Sequence, residues 1–232
     1  NIGLRAVGFD HEAAECPRYA LLLNPDTLLP PDALQRIYDF AEANPDVGVV
    51  GPKLVRLDGS LDKACRRSFP TPKVSAYHML YLDRLFPHSK TFARYNLTFL
   101  DVDEQADVDS VVGAFMLMRS QALQDAGLLD DAFFMYGEDL DLCYRVKEKG
   151  WRIVYYPQVV VTHIKGAASS KRSVKSINAF YEAMRIFHNK HYRKQTFFLL
   201  NWLIDVGIWL KHCIALTQNA LRPNDRKHVA SA

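Results

Sequence analysis

The fold of this chain is decided by a short apolar run that stops at a polar turn, Tyr19-Ala20-Leu21-Leu22-Leu23-Asn24-Pro25-Asp26. The run is typical of a buried strand, and Pro25 ends it because proline cannot donate to a sheet ladder. Apolar residues then recur at helical spacing from Ala33 to Ala41, and residues 47–55 have the composition of a second strand. Strand, helix and strand in this order predict an α/β fold, with polar side chains at the carboxyl end of the first strand.

The remaining elements are predicted from the same patterns of apolar spacing and turn residues. From Val174 onward the apolar residues keep the period of an α-helix, which predicts an amphipathic helix rich in Lys and Arg. Between the second strand and this helix we expect a variable insertion over residues 68–110 that is helical around 74–85, a strand over 109–118 interrupted by Gly113, a short helix capped by Ser120 and ended by Gly127, a helix from Glu138 to Gly150, and two strands, 151–156 and 159–162, separated by Pro157.

Composition narrows the class of protein. With 49% apolar residues among 232, the chain can bury a substantial core, which excludes intrinsic disorder. The four cysteines lie far apart without paired spacing, so neither a zinc site nor a disulfide framework is indicated, and a reducing cytosol is the simplest compartment. No signal peptide is visible. The sequence also lacks a glycine-rich phosphate loop, a His-Glu-x-x-His helix and a Gly-x-Ser-x-Gly elbow.

Charge is distributed unevenly along the chain. Residues 1–144 carry 13 Lys or Arg against 22 Asp or Glu, whereas residues 145–194 carry 12 against 2. The basic segment suits an anionic partner, which is a phosphate-bearing ligand, a nucleic acid or an anionic membrane surface. Because the segment has neither interleaved aromatic residues nor a known nucleic-acid module, we expect no nucleic-acid partner.

A strongly apolar segment, residues 197–216, follows the basic helix. Asn201 and Asp205 lie near its middle and Lys211 interrupts it, and a charge at the bilayer centre costs about 2.5–3.5 kcal/mol. A helix lying in the membrane interface is therefore favoured over one that spans the bilayer. We predict two domains, residues 1–170 and a helical, membrane-associated tail of residues 171–232.

The first candidate site lies at the carboxyl end of the first strand, where ligands of α/β sheets bind. The Asp26 carboxylate there is placed to hold Mg²⁺ together with a substrate phosphate, although an Asn-Pro-Asp tripeptide taken alone is more often a turn. His163 ends a strand-like run and offers a second ligand, and Lys165 lies near enough in sequence to neutralise phosphate oxygens. The alternative is a strand-end histidine before a solvated basic loop. The pair Arg66-Arg67 contacts an anion or is an ordinary surface pair.

The second candidate site is the block Phe133-Phe134-Met135-Tyr136-Gly137-Glu138-Asp139. One of its two adjacent carboxylates, partly desolvated by the aromatic residues, is suited to accept a proton from an alcohol. The alternative is a helix N-terminus that is enriched in acids for its dipole. Gly113-Ala114 allows close approach of the backbone to a ligand or forms a bulge.

Taken together, these motifs resemble family 2 inverting glycosyltransferases, most closely their bacterial rhamnosyltransferase-like branch. The match spans roughly residues 1–170, and its most specific block is Phe-Met-Tyr-Gly-Glu-Asp. The family normally begins with a βαβ-type half that holds the nucleobase, whereas this chain starts just before the metal strand, so we expect this region alone to transfer sugar poorly or not at all. The blocks that carry the resemblance are Leu-Leu-Leu-Asn-Pro-Asp (21–26), Gly-Pro-Lys-Leu (51–54), Gly-Ala-Phe-Met-Leu (113–117), Phe-Met-Tyr-Gly-Glu-Asp-Leu-Asp-Leu-Cys-Tyr-Arg (134–145), Gly-Trp-Arg-Ile (150–153) and His163.

The resemblance implies a GT-A fold, which is a Rossmann-like mixed sheet flanked by helices, here with a C-terminal amphipathic helical extension. It implies a metal-dependent inverting transferase that uses Mg²⁺ or Mn²⁺. The implied donor is a dTDP- or UDP-sugar, with rhamnose as the sugar suggested by the branch. The implied acceptor is a polysaccharide or a lipid-linked saccharide, so we expect a cytoplasmic protein that is peripheral at the inner face of the cytoplasmic membrane.

The resemblance also implies roles for particular residues. Asp26 matches the last carboxylate of the family's Asp-x-Asp metal motif, with Asn24 in place of the first Asp, and His163 matches the histidine that completes the metal site. Asp139 matches the catalytic base, with Glu138 beside it. The donor contacts are assigned to Asn24, Asp26, Arg66 and Lys165, and the acceptor contacts to Gly113, Ala114, Gly137 and Glu138.

The competing interpretation is a truncated, non-catalytic domain. Such a domain would bind a membrane surface or a protein partner through its basic helical tail. Divalent-metal-dependent hydrolysis of nucleotide sugars by the purified protein separates the two interpretations.

Overall fold

The computed structural model describes residues 1–9, 16–164 and 174–222, which form two compact units. The first unit contains the described residues up to Asp130 together with Asp139–Ile164. The second contains Asp131–Glu138 together with the described residues from Val174 onward. The segment Asp131–Glu138 therefore groups with the C-terminal helices, whereas the sequence analysis assigns it to the N-terminal domain.

A mixed sheet forms the centre of the first unit. Its order is β1-β5-β3-β6-β2, and β4 pairs with β6 off this path. Strands β3 and β6 run parallel, while the other pairings among the described strands are antiparallel. A mixed sheet with flanking helices confirms the predicted α/β class. The described strands are β1 Tyr19–Leu23, β2 Thr27–Leu28, β3 Val47–Val55, β4 Ala106–Asp107, β5 Phe115–Arg119 and β6 Arg152–His163.

Helices account for most of the remaining described chain. Two short 3-10 turns, Lys63–Cys65 and Arg193–Gln195, accompany them. The helices predicted behind Asp32, around residues 74–85, from Glu138 and from Val174 are confirmed. The described helices are α1 Ile2–Ala6, α2 Ala33–Ala43, α3 Pro72–Met79, α4 Leu82–Leu85, α5 Ser120–Ala126, α6 Glu138–Glu148, α7 Val174–His191 and α8 Phe198–Leu221.

Helix α2 illustrates how the sequence produces the packing of the core. Ala33, Ile37 and Ala41 recur every four residues, so they form one stripe, and each is at most 1% exposed. At the edge of this stripe the ring of Phe40 stacks on Tyr156 of β6, with 4.3 Å between ring centroids. The apolar spacing thus fixes the face by which α2 packs against the sheet.

The strand predicted over residues 109–118 is wrong in its first half, because β5 begins only at Phe115. The backbone of Ser110 pairs instead with Arg67: the Arg67 amide donates to Ser110 O at 2.9 Å, and the Ser110 amide donates to Arg67 O at 3.0 Å. This bridge draws residue 110 away from the line of β5. The residues that follow, including Gly113, are left at the end of the sheet rather than inside it.

The two predicted strands 151–156 and 159–162 form a single strand, β6, that runs through Pro157. Its pairing with β3 passes from Pro52 and Tyr156 directly to Lys53 and Val160, so Pro157 lies in a bulge. A bulge leaves ladder positions unpaired, and the missing N–H of proline therefore costs nothing there.

The short helix α5 begins and ends near the predicted residues, but its start differs in detail. Gly127 ends it at a φ of 79°, as predicted. Ser120 does not cap it, because its hydroxyl donates to the carbonyl of Pro17. The N-cap position belongs to Arg119, whose side chain makes no cap hydrogen bond.

Helix α8 is long and apolar enough to cross a membrane when judged by length and composition alone. Only 17% of its most apolar window is buried. The placement of this helix in a membrane interface stays a prediction.

We expect Gly51→Ala to destabilise the first unit by about 1–3 kcal/mol, the usual cost of overpacking a core. A Cβ at this position in β3 would lie 2.7 Å from two side-chain atoms of Val111. Urea unfolding measures the effect. Gly3→Ala is the matched control, because a Cβ there meets nothing within 4 Å; equal stabilities for the two variants would contradict the packing described for β3.

Candidate active site

The pairing of β2 with β6 brings Asp26 and His163 together. Thr27 is registered opposite His163, and the amide of Ile164 donates to the carbonyl of Asp26 at 2.7 Å. As a result, His163 Nε2 lies 3.4 Å from Asp26 Oδ1. Both side chains are largely buried, with 7% and 12% of their surfaces exposed.

A second carboxylate, that of Asp62, contacts the opposite edge of the imidazole. Its Oδ2 lies 3.1 Å from His163 Nδ1. Its Oδ1 accepts a hydrogen bond from the amide of Ala64 at 3.3 Å, so the carboxylate is held at the start of a 3-10 turn. Sequence analysis did not single out Asp62, because the position shows only an acidic residue after the Asp58-Gly59 turn.

The lone pairs that His163 and Asp26 turn toward each other suit the binding of a cation. When Nδ1 carries the proton that contacts Asp62, Nε2 presents a lone pair to Asp26 Oδ1. Asp26 Oδ1 is buried and accepts no hydrogen bond. An imidazole nitrogen and a carboxylate oxygen that face each other in this way suit Mg²⁺ or Mn²⁺ between them. Within the described ranges no three His, Cys, Asp or Glu side chains are grouped to hold a metal by themselves, so these two would leave several coordination positions to a ligand.

Asp139 lies at the start of α6 and is fixed by three donors. Its Oδ2 accepts from Arg67 Nη2 at 3.0 Å and from the amide of Gly113 at 3.1 Å. Its Oδ1 accepts from the amide of Leu140 at 2.7 Å. The residue is 6% exposed, and its carboxylate is therefore an oriented, paired group rather than a solvated acid at a helix end.

Arg67 is the partner that sequence analysis missed. Burial acts to lower the pKa of its guanidinium, but the nearby Asp139 carboxylate raises it, and the net shift is upward. In the sequence, the feature that could have indicated a charged partner for Asp139 is the adjacent pair Arg66-Arg67. Extended backbone sends neighbouring side chains in opposite directions, so only one of the two arginines reaches Asp139.

Arg66 is the other arginine of the pair, the one to which the resemblance assigns a donor contact. It is 1% exposed, and its guanidinium donates to the backbone carbonyls of Asp101 and Leu100. The same group lies over the ring of Tyr155, 5.2 Å from its centroid. Its charge is therefore used inside the fold, and the donor contact assigned to Arg66 stays a prediction.

A short backbone path joins the two clusters. The amide of Asn24 donates to the carbonyl of Ala114 at 2.9 Å, next to the antiparallel pair Leu23 and Phe115. Gly113, the neighbour of Ala114, in turn donates to Asp139. Segment 62–67 makes a second link, since Asp62 contacts His163 and Arg67 contacts Asp139. The structure thus brings Asn24, Asp26, Gly113, Ala114, Asp139 and His163 to one end of the sheet.

Gly137 and Glu138 belong to the second unit. Gly137 has a φ of 82°, and a Cβ there would lie 3.2 Å from the ring of Phe133 and 3.4 Å from Ala183. Glycine is therefore the residue that this turn requires. Glu138 begins α6. The predicted donor contact Lys165 lies outside the described residues.

The chain matches the model of the glycosyltransferase like family 2 over residues 1–182, and it belongs to this family. It is 26% identical over 213 residues to N-acetylglucosaminyl-diphospho-decaprenol L-rhamnosyltransferase of Mycobacterium tuberculosis, an alignment that covers 90% of this chain and 67% of that protein. It is 39% identical over 56 residues to the rhamnosyltransferase WbbL of Escherichia coli K12, covering 24% of this chain and 21% of WbbL. The chain is therefore a glycosyltransferase domain of a rhamnosyltransferase-like kind.

Among solved structures, that of GalNAc-T7 with UDP, GalNAc and Mn²⁺ aligns with this chain at a TM-score of 0.44. The aligned region has 13% sequence identity and covers 78% of this chain. The chain spans 33% of that protein's length, so the two differ widely in extent. A similarity this distant does not bear on the site.

We expect the thiols of Cys65 and Cys143 to resist alkylation in the native protein. Burial raises the pKa of Cys65 to about 11 and that of Cys143 to about 12, so both stay protonated at neutral pH, and only the thiolate is reactive. Mass spectrometry after brief iodoacetamide treatment should find label at Cys16 and Cys213, which are partly exposed, and at all four residues in urea. Rapid native labelling of Cys143 would contradict the packing beside Asp139.

Proposed function

We propose that this domain is a metal-dependent inverting glycosyltransferase in which Asp139 is the catalytic base and Asp26 and His163 hold the cation. The observation that carries the proposal is the backbone path through Asn24, Ala114 and Gly113, which connects the Asp26–His163 cluster to Asp139. Two chemically distinct groups at one end of a sheet suit a reaction in which an acceptor loses a proton while a donor loses a diphosphate.

Asp139 takes the proton of the acceptor hydroxyl as that oxygen attacks the anomeric carbon from the face opposite the leaving group. The bond from the anomeric carbon to the diphosphate oxygen breaks, and the nucleoside diphosphate departs with the electron pair, which inverts the configuration. Arg67 and the Gly113 amide both bind Oδ2, so they fix the plane of the carboxylate and leave a lone pair of Oδ1 for the proton.

Asp26 and His163 are the residues that would hold the cation. A divalent cation bound there supplies positive charge against the phosphate oxygens of the donor. Asp62 Oδ2, 3.1 Å from Nδ1, would hold the imidazole in the tautomer whose Nε2 lone pair faces Asp26, which is the arrangement commonly found for metal-bound histidines. Asn24 lies two residues before Asp26 and offers a side-chain amide for a donor contact.

The donor and the acceptor are also proposed. The named activity of the Mycobacterium tuberculosis relative is that of an N-acetylglucosaminyl-diphospho-decaprenol L-rhamnosyltransferase, and WbbL is named a rhamnosyltransferase. We propose a dTDP- or UDP-sugar donor, with rhamnose as the first sugar to test, and a lipid-linked saccharide acceptor. Such an acceptor suits a peripheral protein on the cytoplasmic side of the membrane, and the basic, apolar C-terminal helices support this location.

We expect Asp139→Asn to abolish turnover while leaving Mn²⁺ and donor binding intact, because the amide retains the shape of the side chain but cannot accept the proton. The loss should be about 100-fold or more in kcat, the usual contribution of a general base. Transfer from dTDP-rhamnose by the full-length protein measures kcat, and calorimetry measures donor affinity. Normal turnover in this variant would disprove the base assignment.

We expect Asp26→Ala to lose Mn²⁺ binding, and Asp62→Asn to weaken it by about 10- to 100-fold, the usual effect of removing a partner that orients a metal ligand. Electron paramagnetic resonance of free Mn²⁺ measures both affinities without any need for turnover. Asp39→Asn is the matched control, because its carboxylate is exposed on α2, where it accepts a hydrogen bond from Gln35. Unchanged Mn²⁺ affinity in Asp26→Ala would disprove the metal site.

A further inference from the structure

The pairing of α7 with α8 combines polar contacts with a small apolar cluster. His188 Nε2 and Asn201 Oδ1 lie 2.7 Å apart, and His212 Nε2 and Asn178 Oδ1 lie 2.8 Å apart. At the same end as the His188–Asn201 contact, Arg193, just after α7, forms an ion pair with Asp205 at 3.1 Å. Ile177 and Tyr181 of α7 and Ile208 and Ala215 of α8 are buried together in one apolar cluster. These contacts show that the two helices run antiparallel and that Asn201 and His212 of α8 face α7.

The side of α8 that faces away from α7 is mainly apolar, whereas the exposed side of a helix in water is polar. Nine large apolar side chains of α8 are exposed. Its exposed polar residues, Thr217 and Gln218, lie near its C-terminal end, and its two charged residues, Asp205 and Lys211, are half-buried. Trp202 and Trp209 lie two helical turns apart on one side, and each is more than half exposed. We call this surface the outward face of α8; its exposed members are Phe198, Leu199, Leu200, Trp202, Leu203, Trp209, Leu210, Ile214 and Leu221.

Charge indicates which kind of partner covers this face. Residues 174–222 carry seven Lys or Arg against two Asp or Glu, and one of the two acids, Asp205, is paired with Arg193. Lys190 and Lys194 are exposed just before α8 begins. Apolar side chains bordered by an excess of exposed cations match a bilayer with anionic headgroups. A second copy of the same surface would bring like charges together instead.

The pairing with α7 also indicates how α8 is oriented relative to a bilayer. Helix α7 lies alongside α8 over most of the length of α7. The α7 residues Lys175 and Glu182 are exposed. If α8 crossed the bilayer, these charges would be carried to the same depth, at about 2.5–3.5 kcal/mol each near the centre. If α8 lies flat, α7 stays on the water side, and an apolar strip of about 36 Å faces the acyl chains.

We propose that α8 docks in the plane of an anionic lipid bilayer through its outward face, with α7 above it in water. This inference deepens the proposed function and rests on it for its purpose, since such docking would hold the enzyme at the surface that carries a lipid-linked acceptor. The evidence for the docking is independent of the candidate active site, because it comes from the second unit alone.

The test is co-sedimentation of the whole chain with vesicles of phosphatidylglycerol and phosphatidylcholine, followed by carbonate extraction. We expect binding that carbonate reverses, and a loss of affinity of about tenfold or more in the double variant Trp202→Asp, Trp209→Asp. The matched control is Leu34→Asp, Leu57→Asp, which alters two similarly exposed leucines of the first unit. Circular dichroism verifies that the helices of each variant remain folded.

Other outcomes overturn the proposal. Absence of vesicle binding disproves docking, and resistance to carbonate disproves the in-plane arrangement. A dimer in solution that is lost in the tryptophan variant, with no vesicle binding, would assign the outward face to a second copy. Mn²⁺ binding is measured on the same samples of the unaltered chain. Absence of Mn²⁺ binding would count against the proposed function, whereas Mn²⁺ binding without vesicle binding would count against docking alone.

Discussion

The parallel pairing of β3 with β6 is the constraint on which the site depends. Parallel strands end at the same edge of a sheet, so the chain leaving β3 meets the last residues of β6. The bridge between Val55 and Leu61 folds the chain back at this edge and delivers Asp62 to the imidazole of His163. Strand β2 then adds antiparallel to the end of β6, which places Asp26 on the other side of the same ring. The contact of Asp62 with His163 therefore depends on the pairing of β3 with β6, and the contact of Asp26 with His163 depends on the pairing of β2 with β6.

Burial makes these contacts mutually dependent. A charged group removed from water is tolerated only when it is paired, so Asp62, His163, Arg67 and Asp139 constrain one another. Segment 62–67 carries three of the buried charges, and each faces a different region of the fold: Asp62 contacts β6, Arg66 contacts the carbonyls near residue 100, and Arg67 contacts α6. This short segment is therefore fixed from several directions, which explains how the protein itself holds the two clusters in a set relation.

Much of this arrangement could be predicted from the sequence, and the exceptions share one cause. Strand, helix and strand at residues 19–55, and the motif residues Asp26, Asp139 and His163, follow from local pattern and resemblance. Local pattern could not choose between Arg66 and Arg67, because the choice depends on which side of an extended segment faces α6. It also could not find Asp62, whose partner lies 101 residues away, or the bulge that lets β6 continue through Pro157. In each case the deciding contact is long-range.

The outer surface of the α7–α8 hairpin differs from that of a water-soluble pair of helices. In a water-soluble pair of helices the seam is apolar and contributes most of the stability, whereas the outer surfaces are polar. Here the seam combines an apolar cluster of α7 and α8 residues with the hydrogen bonds of Asn201 with His188 and of His212 with Asn178, and polar pairs of this kind select a register more than they add stability. The large apolar area of α8 is not used within the hairpin, and its burial free energy remains for contact with another surface. The α7–α8 register therefore determines which side of α8 is offered to that surface, in the same way that the β3–β6 register determines which side chains meet at the site.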